Sequence, residues 1–401
     1  MLLKNCRVVD VVGLRDVRIE GSLIDEIGES LRRNGDEKVF DASGSLLTSS
    51  LAEPHAHLDK AFLAERIDNP TGDLMGAITA MESNRKLITI ADTIERAERA
   101  VHLMVKNGVT AIRTHADVTE WNNLDSVEAL VEVKRRTSEL VDMQICALLG
   151  WPLSGSNGKH NRQLGRSAIG AGADLLGGCP HIDEDPTGAN VALLELAGEL
   201  DCDLDLHTDE HTDANRVTLE DLAERVMQTK FRRSVTASHC VSLAMQSHDS
   251  QARIAEKVAA AGISVIVLPH TNLFLQGREA TAPQPRGLTA VSILRKSGVR
   301  VAIGADNLQD PFNPIGRGDP LESAGLAILA AHLLPQDAFE AVSTVARQVM
   351  GLATTKISVG QPANLMLNRA TSLREAIAVT AERPMVIRNG VVVSSCLAAV
   401  N

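Results

Sequence analysis

Eight apolar runs, each closing on polar residues and most of them separated by a helix-length segment, constrain this chain more than any other feature. The runs are Leu46 to His57, Thr110 to Val118, Asp142 to Gly150, Ala173 to Ile182, Cys202 to Glu210, Ser234 to Cys240, Ser264 to Asn272 and Val299 to Asn307. In ADTIERAERAVHLMVKNG, Ile94, Ala97, Val101 and Val105 keep the 3.6-residue period, and Asn107-Gly108 supplies a C-terminal stop. Similar segments predict helices over Ser126 to Ser138, Ala189 to Glu199, Leu219 to Gln228, Gln251 to Ala261 and Leu288 to Lys296. Strands that alternate with helices pair in parallel through helical crossovers, and eight is the number that closes a (β/α)8 barrel. The predicted fold is therefore α/β, a (β/α)8 TIM barrel over residues 49–354. Leu2 to Phe40 and Gly360 to Val400 read as short strands with turns, each too small to bury a core alone. Residues 1–48 plus 355–401 are expected to form one small β-sandwich domain from both termini.

Composition narrows the function classes. The 401 residues are 44% apolar and 23% charged, as in soluble globular chains. A net charge of -11 argues against phosphate-rich partners, and no Tyr, two Trp and six Phe leave few platforms for base stacking. Neither nucleic acid nor an anionic membrane is expected as a partner. The opening stretch MLLKNCRVVDVVGLRDV is broken by Lys4, Arg7, Asp10, Arg15 and Asp16, so it reads as neither a signal peptide nor a membrane span; the expected location is cytoplasmic. Cys6, Cys146, Cys179, Cys202, Cys240 and Cys396 are scattered without CxxC pairs and are expected to be buried thiols. Long loops, Asp59 to Ile90 and Gln276 to Gly287, have the length of lids or specificity elements.

Polar residues gather where the runs end: HAH, THAD, PHID, HTDE, SHC, PHTN and GADN. Of twelve histidines, His55, His57, His115, His181, His207, His239 and His270 fall there, and packing offers no reason for it. The C-terminal strand ends of such a barrel carry its active site. In EPHAHLDK, strand alternation puts His55 and His57 on one face and Ala56 on the other. A mononuclear metal needs three or four N or O ligands with one position left open. His55 and His57 from the first run, His207 from the fifth and Asp306 from the eighth are the candidates. Closure sets the eighth strand beside the first, within reach of the HxH pair. Asp306 alone would read as a turn-starting acid before Asn307; the combination favours a metal. Glu210 closes HTDE, where a carboxyl beside a metal and away from bulk water can hold a raised pKa and protonate a ring nitrogen. His239 can hydrogen-bond the metal-bound water and a tetrahedral intermediate. Taken singly, Glu210 reads equally as a solvated loop acid and His239 as a core histidine. Arg113, His115 and Asp117 share a face and read as a hydrogen-bond network behind the ligands, and Lys60 as the partner of a structural carboxylate.

EPHAHLDK at 53–60, IRTHADV at 112–118, HTDE at 207–210, TASH at 236–239, FLQGR at 274–278 and GADNLQDPFNPIG at 304–316 together resemble the amidohydrolase superfamily, and within it the cytosine deaminase-like branch. The resemblance spans the barrel and both terminal pieces. It implies one divalent metal ion, zinc or iron(II), on His55, His57, His207 and Asp306, with Glu210 as proton shuttle and His239 assisting the hydroxide. In such relatives the metal-bound hydroxide attacks an amino-bearing ring carbon and ammonia leaves. His and carboxylate ligands suit manganese as well. LLGGCPHID has no Lys at the end of strand four, where binuclear relatives carry a bridging carbamylated Lys, so a binuclear centre is disfavoured. The implied partners are a small heterocyclic substrate and water, with a homo-oligomer in keeping with barrels of this group.

Two departures bear on the substrate. LLGWPLSG puts Trp151 where cytosine deaminases place a Gln, and Asn307 replaces the carboxylate that follows their strand-eight Asp. Isopropylammelide-type aminohydrolases share that Asn but lack the HTDE glutamate kept here. Gln276, Asn307 and Trp151 are thus the candidate substrate-binding residues, for a ring such as cytosine, isoguanine, creatinine, a pterin or a triazine. Competing readings are a cyclic amidase or N-alkyl aminohydrolase on the same site, or a non-catalytic scaffold barrel. The cytidine-deaminase type of zinc site is excluded, because HxE followed by PCxxC is absent.

Overall fold

The computed structural model describes residues 1–281 and 284–399, so Pro283 of the second long loop lies outside the described residues, as does Val400. The chain begins with β1 (Leu2–Val8), β2 (Arg15–Glu20), β3 (Leu23–Gly28), β4 (Val39–Asp41) and β5 (Leu46–Ser49). Then come β6 (Leu51–Ala56), β7 (Val109–Val118), β8 (Asp142–Leu149), β9 (Leu175–Gly178), β10 (Asp203–Thr208), β11 (Val235–His239), β12 (Ser264–Val267) and β13 (Val301–Ile303). It ends with β14 (Leu365–Asn368), β15 (Met385–Arg388) and β16 (Val391–Ser395).

Strands β6 to β13 pair in parallel in sequence order, the TIM barrel that the alternating runs predict. The seam between first and last strands is closed beyond β13: Asp306 N donates to His55 O at 3.0 Å and His57 N to Asp306 O at 3.2 Å. The buried Glu53 carboxyl group adds to it by accepting Ala305 N at 3.0 Å and His55 N at 3.1 Å. Pro54 has no N–H to give, and the β6–β7 register shifts between Glu53 and Ala56.

The segment Leu46 to His57 is two strands, not one. β5 pairs with β1 and β14 in the terminal sheet, whereas β6 pairs with β7, and only Ser50 separates them. No loop marks the passage, so hydrophobicity alone runs the two together. Strands four and seven are shorter than expected. Pro180 and Pro269 stop them and open short helices, Pro180–Ile182 and Pro269–Leu275, because a proline suits a first helical position and cannot donate to a central ladder.

Both termini build the second sheet, in the order β16-β15-β14-β5-β1-β2-β3 with β4 beside β1. Leu2 to Lys4 of β1 pair with β4, its end with β5, and its pairing with β2 shifts register between Leu3 and Cys6, where Asn5 sits at φ +56°. Leu3, Val17, Ile24, Leu47, Leu365 and Ile387 share one core there, so neither terminal piece needs to bury a core alone.

The crossovers follow the predicted pattern. Helix α1 (Leu74–Ser83) lies inside the first long loop, where no helix is expected from the sequence. Helix α2 (Ile90–Lys106) starts at Thr89, whose side chain accepts Asp92 N, buries Ala97, Ala100, Val101, Met104 and Val105, and ends before Gly108 at φ +93°. Beyond the barrel, Ala346, Val349 and Met350 pack on Ala52, Ala111, Ile266 and Ala302 inside it. All six cysteines are free; Cys6, Cys146, Cys202 and Cys240 are buried as expected, but Cys179 is partly exposed and Cys396 is exposed at the end of the last strand. Among the described residues no helix is long and apolar enough to cross a membrane.

Candidate active site

The strand ends bring His55, His57, His207, His239, Glu210 and Asp306 together, all buried. His57 Nε2 stands 3.2 Å from His207 Nε2 and 3.2 Å from Asp306 Oδ1, and His55 Nε2 lies 3.6 Å from that same oxygen. Ligand atoms of His55, His57 and His207 all lie within 4.8 Å of one another, as do those of His55, His239 and Asp306. Burial, reinforced by neighbouring imidazoles, holds His55 and His207 well below the ordinary histidine value, so both are neutral and their lone pairs available. Burial raises Asp306, but the neighbouring His57 and His239 imidazoles outweigh it and keep the carboxyl low.

His55 Nε2 and both Asp306 carboxylate oxygens are buried without a hydrogen-bond partner. An unsatisfied buried polar group costs about 1–3 kcal/mol, and here several converge on one point. Three imidazoles and an ionised carboxylate form a donor set that a divalent cation fits.

Behind these atoms lies a polar network. Ser238 Oγ is 3.0 Å from His55 Nδ1 and donates to Asp205 at 2.9 Å, and Arg113 donates to Asp205 at 2.7 Å. His181 Nδ1 is 3.0 Å from the carbonyl of His207, bracing β10. Lys60 donates to Asp117 at 2.6 Å and lies 3.2 Å from His57 Nδ1. His115 stacks on His55 with ring centroids 4.0 Å apart. The network expected of Arg113, His115, Asp117 and Lys60 thus extends to Asp205 and Ser238, which sequence reasoning passed over. Asp205 was within reach of the period-two rule, since DLDLH puts it on the same face as His207.

Glu210 lies just past β10. Burial, with the Asp306 charge, pushes its carboxyl well above the ordinary range. His239 Nδ1 is 3.5 Å from Glu210 Oε1 and accepts from Asn272 Nδ2 at 3.0 Å. That bond assigns the ring proton to Nε2, the nitrogen without a partner. Burial brings His239 down to about 4.

A cavity opens over this floor, lined by His57, His207, Glu210, His239 and Asp306 below and by Trp151 and Asn307 among others above. Gln276 is not on its wall; its amide donates to the Glu210 carbonyl at 3.1 Å. Asn307 faces the cavity with its amide engaged, donating to Asp310 at 2.7 Å and accepting from Thr271 at 3.4 Å. His270 sits past the proline that ends β12 and meets Glu322 at 3.3 Å, outside the cavity.

The sequence profile of the amidohydrolase family matches residues 63–394. The chain is 32% identical to a pterin deaminase of Rhizobium rhizogenes over 95% of this chain and 88% of that protein. It superposes on the crystal structure of 5-methylcytosine deaminase from Klebsiella pneumoniae with a TM-score of 0.90 at 30% identity, covering 98% of this chain and 97% of that one. N-isopropylammelide isopropylaminohydrolase from Burkholderia multivorans follows at a TM-score of 0.83 and 27% identity, over 98% and 97% of the two chains. The chain belongs to the amidohydrolase family, on its cytosine deaminase-like branch.

Proposed function

We propose that this protein is a hydrolytic deaminase of an amino-substituted nitrogen heterocycle. The observation that carries the reading is Glu210: a buried carboxyl, whose burial favours the protonated form, beside a cluster of three histidines and Asp306. The deaminase relatives support it. His55, His57, His207 and Asp306 are the proposed ligands of one zinc or iron(II) ion, which when bound supplies Lewis acidity and a water of lowered pKa.

The remaining chemistry falls to the chain. Glu210 gives its proton to a ring nitrogen, which makes the adjacent amino-bearing carbon electrophilic. Asp306 takes the proton that the attacking water loses. His239 keeps its proton and donates a hydrogen bond from Nε2–H to the oxygen of the attacking water, holding it against the ring carbon. The proton held by Asp306 then passes to the amino group, ammonia leaves, and the proton of the new hydroxyl returns to Glu210 as the ring carbonyl forms. The enclosure of Glu210 and His239 excludes bulk water from these transfers. We propose residues 49–354 as the catalytic domain, residues 1–48 and 355–401 as its small companion, and the cytoplasm as the location.

The test is ammonia release by metal-reconstituted protein over cytosine, isoguanine, creatinine, pterin and aminotriazines, with a chelated control. A metal-dependent hit supports deamination. Silence across the panel, with ring opening of a cyclic amide, would replace it with the amidase reading.

A further inference from the structure

Above its polar floor the cavity is walled by apolar side chains. Helix α1 contributes Leu74, Ile78 and Met81, spaced to share one face, and Trp121 and Trp151 come from the segments that follow β7 and β8. The chain has two tryptophans, and both are here.

The helix is built to stay in place. Asp73 caps it by accepting Gly76 N at 2.7 Å, and Met81 packs with Leu63 and Ile67 in a small core of its own. At its entry the Arg278 guanidinium, 4.7 Å over the Phe274 ring, occupies the space where Gly72 would carry a Cβ, so the second long loop braces the first. Gly72 sits at φ +70°, and a side chain there would displace Arg278.

Barrel order gives the wall a direction. β10, which leads to Glu210, is four places from β6, three from β7 and two from β8 in a ring of eight strands. The loops that follow β6 and β7 therefore stand across the barrel mouth from Glu210. Polar groups in the same arc are engaged or peripheral: Lys60 and Asp117 are paired at 2.6 Å and Glu82 is exposed, which leaves Thr119. A ring that turns its reacting C–N bond toward Glu210 and His239 lays its remaining edge against this wall.

We infer that the substrate carries an apolar substituent on the ring itself, not on the departing amine, and that α1 with Trp121 selects it. The inference rests on the deaminase reading for the orientation of the ring. An alkyl group there gains burial, whereas a polar edge would lose its water without gaining partners.

The experiment is a binding titration of the metal-loaded Glu210→Gln protein, read by tryptophan fluorescence. The ligands are cytosine, its C5-, C6- and N1-methyl isomers, N4-methylcytosine and pterin. At least one ring-methylated isomer should bind about tenfold tighter than cytosine, with N4-methylcytosine no tighter. Adding Ile78→Ser should abolish that gain, so that the ring-methylated isomer binds no tighter than cytosine does to the same variant. Equal affinity for all the isomers, a gain only from N4-methylation, or tightest binding of pterin would overturn the inference. If Ile78→Ser fails to fold, the isomer series still decides. A ring-methyl preference with no ammonia released by the unmutated enzyme sinks the deaminase reading alone. Ammonia release without that preference sinks the inference alone, and no binding of any ring sinks both.

Discussion

The Ser238 hydroxyl stands 3.0 Å from His55 Nδ1 while donating its proton to Asp205. A hydroxyl has one proton to give, so it accepts from His55 Nδ1–H, and the lone pair of His55 is left on Nε2, toward His57 and Asp306. Arg113 holds Asp205 in turn at 2.7 Å. Ser238→Ala should therefore lower metal affinity about 10–100-fold with little change in stability, as losses behind a ligating histidine do. Chelator competition measures it, and an unchanged affinity would remove Ser238 from the site.

Lys60 carries its charge into a buried setting because Asp117 and Asp59 outweigh the burial, which holds its pKa above the ordinary lysine value. Lys60→Met would leave both carboxylates without their cation. Breaking a buried pair from one side costs about 3–5 kcal/mol, and Lys60→Met with Asp117→Asn should recover part of it. Urea unfolding of the single and double variants tests this; strictly additive losses would mean that the pair is not coupled.

The barrel was legible in the sequence because its strands are buried on both faces and read as continuous apolar runs. The same property hid the boundary at Ser50, where one run serves two sheets. His55, His57, His207 and Asp306 could be grouped because closure sets the eighth strand beside the first. His270 could not be placed, since the strand period does not continue past Pro269. Helix α1 was missed although its signals are present: Asp73 is a capping residue, and Leu74, Ile78 and Met81 keep a helical spacing. Its ten residues sit among turn formers and Gly76, which mask so short a helix. Asn272 was invisible as a partner for His239, because that contact joins two barrel elements through a helix that the sequence presents as a strand.

Glu53 links stability to pH. Burial pushes its carboxyl up to about 8 from an ordinary 4.5, against the hydrogen bonds from Ala305 and His55. Between those values the unfolded chain has lost a proton that the native chain keeps. Stability is therefore fully present below the lower value and is lost as pH rises toward the upper one. At about 1.4 kcal/mol per unit the loss is a few kcal/mol. Glu53→Gln keeps a carbonyl acceptor and carries no charge. In metal-free protein it should match the unmutated chain near the lower pH and exceed it near the upper one. Parallel loss of stability in both proteins would assign the pH dependence elsewhere.

Glu210 gives the last prediction, because its proposed role and its protonation are tied. Burial, then the Asp306 charge, raises its pKa, so the proton is present at neutral pH and is lost as the solution becomes alkaline. His239, brought down to about 4 by burial, is neutral in the same range and supplies no cation that would ionise Glu210. If Glu210 donates to the ring, kcat/KM must fall on the alkaline side as its carboxyl ionises. Glu210→Gln preserves shape and hydrogen bonding without a transferable proton, and should cut turnover about 10²–10⁴-fold while removing that alkaline fall. The measurement is kcat/KM against pH for both proteins on whichever ring the ammonia assay identifies. Near-normal turnover by Glu210→Gln would end the proton-donor assignment. A large loss that keeps the same alkaline fall would give that fall to another group and leave Glu210 as a residue that only positions the ring.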